Sequence, residues 1–249
     1  MGRKKETPAE EVKPVEVAEE VTKITPEMLE QLGGGIVENF SYGLGEMLLM
    51  NDIENRIFYL DEEVDEDIFR EITMFIIKAN IQDAGIPVEE RLPIKIVINS
   101  PGGSVLDGVG LIDAIKSSVT PVFGIVVGYA YSMAFNICCA CDFRVATPNS
   151  SFLCHDGSTG LFNSSTKFRD TMKFYDKLDE RLDRMISART KLTMKELQDR
   201  KREECFWFAD EAKDLGIIDA IIGEDVSFES VFCFMPSHDC DCECCGCES

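Results

Sequence analysis

Positive charge is scarce in this chain of 249 residues, because 25 lysines and arginines stand against 46 aspartates and glutamates and leave a formal net charge of −21. So large an excess of negative charge argues against nucleic acids and anionic membrane surfaces as partners. The excess is uneven, since residues 224–249 carry seven acidic residues and no lysine or arginine. We therefore expect a protein that binds neither nucleic acid nor a membrane surface.

Export and membrane-insertion signals are also lacking. No apolar stretch follows the basic residues near the N-terminus, so we expect no signal peptide. Residues 122–141 form an uncharged run that is long enough to cross a bilayer. Gly124, Gly128, Ser132 and Asn136 interrupt it, however, and we interpret it as a strand, a turn and a helix. These features predict a cytoplasmic protein with reduced thiols and no membrane segment.

Strand-like and helix-like patterns alternate between residues 36 and 223. Apolar, β-branched runs predict strands at residues 56–60, 94–98, 121–127, 143–146 and 151–154. Apolar residues three or four apart predict helices at residues 66–80, 105–117, 133–141, 166–189 and from Thr193 onward, with apolar segments at 205–209 and 212–222. Gly128 is expected to end the third strand. This alternation indicates one α/β domain with mostly parallel strands.

The two ends of the chain differ from this domain in composition. Residues 1–35 are rich in charge and end in three glycines, which predicts a flexible N-terminal arm or a removable leader. Residues 224–249 form an acidic, cysteine-rich tail. Its five cysteines between Cys240 and Cys247, with His238, suit a soft metal, but their alternating spacing is not that of structural zinc sites. We expect a disordered tail, with metal binding as the alternative, and no cofactor.

Ser132 lies where the apolar strand-like run meets the apolar helix-like run. A serine at a helix start has its hydroxyl near exposed N–H groups and the positive end of the helix dipole, which suits a nucleophile. The same position equally suits an ordinary N-cap. His155 is the single histidine of the predicted domain, and an imidazole is the usual base for a serine nucleophile. By itself, a histidine at a strand end is more often structural.

The turn at residues 101–103, Pro-Gly-Gly, also allows two interpretations. It can be a plain tight turn between a strand and a helix, which glycine permits through positive φ. It can also aim backbone N–H groups at developing negative charge. Neither the turn, the serine nor the histidine identifies a function alone.

Together these residues resemble the ClpP family, the proteolytic subunits of the Clp protease. The resemblance covers about residues 55–222 and is carried, in the family's order, by Asn99-Ser-Pro-Gly-Gly-Ser-Val105, Gly128-Tyr-Ala-Tyr-Ser-Met133, Thr147-Pro-Asn-Ser150 before His155, and Ala209-Asp-Glu-Ala212 leading into Leu215-Gly-Ile-Ile-Asp219. It implies a ClpP/crotonase-like α/β single domain with repeated βαβ units and a protruding long helix at 166–189.

The resemblance also implies a role for each matching residue. Ser132 matches the nucleophile and His155 the general base, and the backbone N–H groups of Gly103 and Met133 match the oxyanion hole. No metal takes part. Glu204 occupies the position where the family usually has the aspartate of the triad.

Glu204 is the weakest part of this match. A glutamate can orient an imidazole, but it can equally be a solvated charge in the run of residues 201–204. Asp199 and Glu203 are the alternative orienting residues. Where the family usually has an arginine that joins rings, this chain has Glu203.

The implied function is a serine endopeptidase that cleaves unfolded proteins or peptides inside a homo-oligomeric chamber of heptameric rings, two of them stacked, fed by an AAA+ unfoldase. The chain has no Walker-type loop of its own, so ATP dependence would come from that partner. Two alternatives stay open. One is a catalytically silent structural subunit, which the glutamate at 204 leaves possible. The other is a crotonase-like acyl-CoA enzyme, against which the Ser/His pair counts.

Overall fold

A seven-stranded, mostly parallel sheet forms the centre of the protein in a computed structural model that describes residues 44–157 and 165–233. Its strands are β1 (Ile57–Leu60), β2 (Ile94–Ser100), β3 (Val122–Tyr131), β4 (Phe143–Ala146), β5 (Ser151–Cys154), β6 (Cys205–Phe208) and β7 (Ala220–Ile221). The helices are α1 (Leu44–Glu54), α2 (Glu66–Gln82), α3 (Val105–Ser117), α4 (Met133–Ala140), α5 (Ser165–Arg189), α6 (Met194–Lys201), α7 (Ala209–Asp214) and α8 (Phe228–Phe232). The predicted α/β fold is confirmed.

The sheet has two parts that share β3. Strands β1, β2, β3, β4 and β7 lie side by side in that order and are all parallel. Strand β5 pairs in parallel with the end of β3, and β6 runs antiparallel to β5. Helices follow β1, β2 and β3 in sequence, which is the repeated βαβ pattern expected from the alternation of elements.

Strand β3 is longer than the sequence indicates, because it bends at Gly128 instead of ending there. Gly128 has a φ of +111°, and the register against β2 shifts between Val126 and Ala130. The Ser150 hydroxyl supports the bend, because it donates to the carbonyl of Val126 at 2.9 Å and accepts from the N–H of Gly128 at 3.3 Å. Beyond the bend, Tyr129–Tyr131 pairs with β5 and no longer follows β4.

The apolar residues of helices α2 and α4 form part of the buried core. In α2 the buried residues Ile68, Ile72 and Ile76 recur every fourth position, as its periodicity predicts. Asp65 caps that helix by accepting from two backbone N–H groups. Helix α4 is buried almost throughout, including its cysteines. Burial raises the pKa of the Cys138 thiol to about 12, so this thiol is a packing group and not a reactive one.

The described chain continues past residue 223, where the predicted domain ends. Val231 of α8 is buried against Ile125, Val145 and Ala220 of the sheet, so residues 224–233 pack onto the domain. The predicted N-terminal arm, residues 1–35, and the cysteine cluster after Cys233 lie outside the described residues. Within the described ranges, no helix combines the length and apolar character that a bilayer crossing requires.

Gly128→Ala is expected to destabilise the protein. A Cβ at this position would lie 2.3 Å from the Oδ1 atom of Asn99, and the φ of +111° strains any L side chain. Such strain costs about 1–3 kcal/mol, which should lower the thermal unfolding midpoint by roughly 2–10 °C. Circular dichroism measures this shift. Gly45→Ala is the control, because a Cβ added at this position would have no atom within 4 Å. An unfolding midpoint of Gly128→Ala as high as that of Gly45→Ala would contradict the role of the bend.

Candidate active site

Ser132 occupies a strained backbone position between β3 and α4, with φ 53° and ψ −117°. Positive φ is uncommon for a residue other than glycine and persists only where the surroundings hold it. Here the N–H of Ser132 donates to the carbonyl of Leu153 in β5 at 2.9 Å. The hydroxyl forms no capping hydrogen bond with α4. Ser132 is therefore not the ordinary N-cap that its position in the sequence also allows.

The Ser132 hydroxyl instead contacts His155. The distance from Ser132 Oγ to His155 Nε2 is 2.9 Å. His155 directly follows β5, and β5 pairs with the outer half of β3, where Tyr131 lies opposite Leu153. The bend in β3 therefore brings the two side chains together. A neutral imidazole protonated on Nδ1 can accept the hydroxyl proton at Nε2, as a general base must.

The glycine turn lies directly against the Ser132–Met133 peptide. A Cβ on Gly102 would lie 2.6 Å from the carbonyl oxygen of Tyr131 and 2.7 Å from the nitrogen of Met133. Only a residue without a side chain allows this approach. The turn is tied to Val64, whose N–H donates to the carbonyl of Gly102 at 2.8 Å and whose carbonyl accepts from Ser104 at 2.7 Å.

The backbone N–H groups of Gly103 and Met133 donate to no acceptor within the described residues. The hydrogen bonds between the turn and Val64 use the carbonyl of Gly102 and the N–H of Ser104, and not the N–H of Gly103. Met133 is the first residue of α4, where a helix has no internal acceptor for its N–H. Unpaired donors at a helix start can bind negative charge. The two groups predicted to form an oxyanion hole thus belong to segments that touch each other beside Ser132.

A cleft of about 350 Å³ opens beside the Ser132–His155 pair. Apolar side chains of α4 and α5 line it, among them Met133, Met172 and Leu178, and Asp176 and Asp179 contribute carboxylates. The cleft is therefore a mixed apolar and acidic space adjacent to the hydroxyl. Its volume lies within the range of pockets that bind organic ligands.

Glu204 lies opposite His155 along the chain, but its side chain does not contact the imidazole. Cys154 pairs with Cys205 in the antiparallel β5–β6 ladder. Extending that register by one residue pairs His155, which follows Cys154, with Glu204, which precedes Cys205. Trp207 anchors β6 by stacking on Phe135 with ring centroids 5.8 Å apart. The Glu204 side chain is exposed, however, and within the described residues the ring of His155 forms its one hydrogen bond with Ser132.

The two alternative orienting residues do not contact His155 either. Asp199 and Glu203 are both exposed, and neither forms a hydrogen bond with His155 within the described ranges. The structure therefore brings together Ser132, His155 and the glycine turn, and among the residues it describes the acidic member of the predicted triad forms no hydrogen bond with His155.

Lys201 lies outside the predicted site residues, in the charged run 201–204, yet it lines the cleft and is only 6% exposed. Its ammonium contacts the carboxylates of Asp179 and Asp183 on α5. A local signal for its burial exists, because Lys201 follows the buried Leu197 by four residues on α6 and so shares its face. The partners that accommodate its charge are far away in sequence and give no such signal.

Among known protein families, the chain matches the model described as Clp protease. This match covers residues 46–225, well over half of the chain. The match includes Gly103, Ser132, Met133, His155 and Glu204, and it ends before the cysteine cluster of the tail.

Substitutions at Ser132 can measure the backbone strain apart from any chemistry. Glycine adopts φ 53° and ψ −117° without the strain that a Cβ imposes, so Ser132→Gly should be more stable than Ser132→Ala by about 1 kcal/mol. Urea unfolding followed by the fluorescence of Trp207, the single tryptophan, measures the difference. At Ser151, in the regular strand β5, the order should reverse. If alanine is the more stable replacement at both positions, the strain at Ser132 is refuted.

Proposed function

The chain belongs to the Clp protease family, and from this premise we propose that it is a serine endopeptidase whose nucleophile is Ser132 and whose general base is His155. The observation that carries the proposal is the 2.9 Å contact between Ser132 Oγ and His155 Nε2. The strained conformation of Ser132 supports it as well, because strain of this kind is concentrated at functional sites.

The reaction begins when the Ser132 oxygen attacks a peptide carbonyl carbon and its proton passes to His155 Nε2. The N–H groups of Gly103 and Met133 stabilise the resulting oxyanion, and each such donor contributes about 3–4 kcal/mol. The imidazolium of His155 then donates its proton to the leaving amine as the carbon–nitrogen bond breaks. Water, activated by the same imidazole, hydrolyses the ester and restores the Ser132 hydroxyl.

Glu204 is the proposed orienting residue for His155. Its backbone lies opposite His155 across the end of the β5–β6 ladder, and its side chain has one more methylene than an aspartate. A rotation of this exposed side chain can therefore bring the carboxylate to the Nδ1–H of the imidazole. Catalytic hydrogen bonds often form only when substrate is bound, so an unpaired Glu204 in the free protein is compatible with this role.

We also propose that the chain acts as a homo-oligomer of stacked heptameric rings that receives unfolded substrates from an AAA+ unfoldase. Helix α5 supports this assembly. Its C-terminal half is buried through Leu182, Met185 and Ile186, whereas Phe168 and Phe174 are 42% and 52% exposed. Apolar side chains along an outer helix indicate contact with another chain. A cytoplasmic location and an ATP requirement supplied by the unfoldase are further parts of the proposal.

A catalytically silent structural subunit is the second candidate. One observation favours it, the absence of a hydrogen bond between His155 and Glu204 or another carboxylate of the described chain. Without an orienting acid the imidazole retains the contact with Ser132 but loses the group that stabilises its cation. Labelling of the serine distinguishes the two candidates.

Wild-type protein is expected to react with a fluorophosphonate probe at Ser132, because His155 increases the nucleophilicity of the hydroxyl. Ser132→Ala should abolish labelling. Glu204→Gln should slow it, by up to about 10⁴-fold if Glu204 acts as triad acids do. Glu224→Gln is the control, since Glu224 has the same charge, is exposed and lies outside the lining of the cleft, and it should label close to the wild-type rate. In-gel fluorescence against time gives the rates.

Two results would contradict parts of this expectation. Equally poor labelling of wild type and Ser132→Ala would favour the silent subunit. Equal rates for Glu204→Gln and wild type would leave Ser132 as the nucleophile and remove Glu204 from the mechanism.

Phe174→Ser is expected to weaken assembly through α5, because the exposed ring would no longer be buried by another chain. Native mass spectrometry should show stacked rings for wild type and single rings or free chains for the variant. Lys177→Ser, another exposed position of α5, is the control and should assemble as wild type does. An unchanged assembly in Phe174→Ser would exclude this part of α5 from the contact between rings.

A further inference from the structure

The C-terminal residue of α6, Lys201, connects three separate parts of the site. Its Nζ atom lies 2.5 Å from Asp179 and 2.9 Å from Asp183, both on α5. It also lies 3.9 Å from the carboxylate of Asp156. The backbone carbonyl of the same lysine accepts a hydrogen bond from the N–H of Asp156 at 3.0 Å. One residue thus contacts Asp156 through a main-chain hydrogen bond and a longer ion contact from its side chain to the half-exposed carboxylate.

Asp156 is the residue directly after His155, so its position affects the imidazole. On the side before His155, β5 is fixed by its pairing with β3 and β6. On the side after it, the hydrogen bond and the ion pair that Asp156 forms within residues 44–157 and 165–233 are both with Lys201. The other partners of Lys201 lie on α5, whose Leu178 and Leu182 line the cleft. Lys201 therefore links the backbone at His155 to the wall of the cleft.

Lys201 and Asp183 form a buried ion pair, whereas Asp179 and Asp156, the other carboxylates near the ammonium, are half exposed. Lys201 is 6% exposed and Asp183 only 2%. Burial opposes the charge of Lys201, but its hydrogen bonds with Asp179 and Asp183 outweigh that effect and raise its pKa. The ammonium therefore stays charged at neutral pH. Removing it would leave a buried carboxylate without its cation, which is strongly destabilising.

Stability alone does not account for such an arrangement. Replacing a buried ion pair with apolar side chains of similar size is often neutral or stabilising. The Lys201–Asp183 pair thus has no clear advantage over an apolar pair in holding α5 to α6. An apolar side chain in place of Lys201 would lose the contacts with Asp179 and Asp156. Of these two aspartates, Asp156 is the one that directly follows His155 in the chain.

We propose that Lys201 is a positioning residue for His155, which holds the segment after the imidazole against α5 so that Nε2 stays within reach of the Ser132 hydroxyl. The inference rests on the proposed peptidase function. A displacement of about 1 Å at a reacting group can reduce the rate about 100-fold. The lysine touches neither Ser132 nor the imidazole, so its effect is on geometry and not on the chemical step itself.

The test separates positioning from stability by means of the double variant Lys201→Met/Asp183→Leu in the full chain. An apolar pair in place of the buried ion pair should keep the thermal unfolding midpoint close to that of wild type. The maximal rate of fluorophosphonate labelling should nevertheless fall about 10- to 100-fold, with the probe concentration for half-maximal rate unchanged. Lys201→Arg, which keeps the cation, should recover part of the rate.

Lys213→Met is the matched control, because Lys213 also forms an ion pair, with Asp225 at 2.6 Å, but is outside the cleft. It should label as wild type does. A double variant that unfolds and labels like wild type would overturn the positioning role while leaving Ser132 labelling, and hence the proposed function, intact.

Hydrogen exchange gives a readout that does not depend on labelling at all. The amide protons of residues 153–157 should exchange faster in Lys201→Met/Asp183→Leu than in wild type, since Asp156 would lose its cation. Unchanged exchange in this segment would overturn the inference even if wild-type protein failed to label at Ser132.

Discussion

The bend of β3 at Gly128 is the constraint on which the site depends. Before the bend, β3 pairs with β4 and belongs to the buried parallel sheet; after it, Tyr129–Tyr131 pairs with β5. A straight strand would continue along β4 and carry Ser132 away from His155. The bend needs a residue without a Cβ, because Asn99 Oδ1 would lie 2.3 Å from one, and it needs the Ser150 hydroxyl to satisfy the displaced backbone groups.

The strain at Ser132 follows from the same arrangement. A tight connection from β3 to α4 forces a positive φ, and the surrounding contacts hold it in place. Leu153 accepts its N–H, Gly102 packs against the next peptide, and the buried helix α4 fixes the residues that follow. The strain keeps the hydroxyl away from the N-cap position and directs it to His155. Local conformation, core packing and chemistry are therefore connected at one residue.

Much of this could be predicted from the sequence, because the relevant signals are local. The strands β2 and β5 and the helix α3 follow from apolar periodicity, whereas Ser132 and His155 are selected as a pair by the resemblance to the ClpP family. The bend at Gly128 could not be predicted, since a glycine after an apolar run is typical of a strand end as much as of a bulge. The burial of Lys201 depends on Asp179 and Asp183, which only the packing of α5 on α6 brings near.

The unpaired Glu204 and the buried Lys201 are two ends of one short turn. Lys201 holds the peptide after His155, and Glu204 lies opposite His155 where β6 begins. The turn between them is closed by the N–H of Glu203, which donates to the carbonyl of Arg200 at 3.1 Å, and β6 is fixed by Trp207 on Phe135. Both proposed roles therefore depend on this one turn. In the proposed mechanism Lys201 positions the segment after His155, and the side chain of Glu204, longer than that of an aspartate, reaches the Nδ1–H of the imidazole from the other end of the turn.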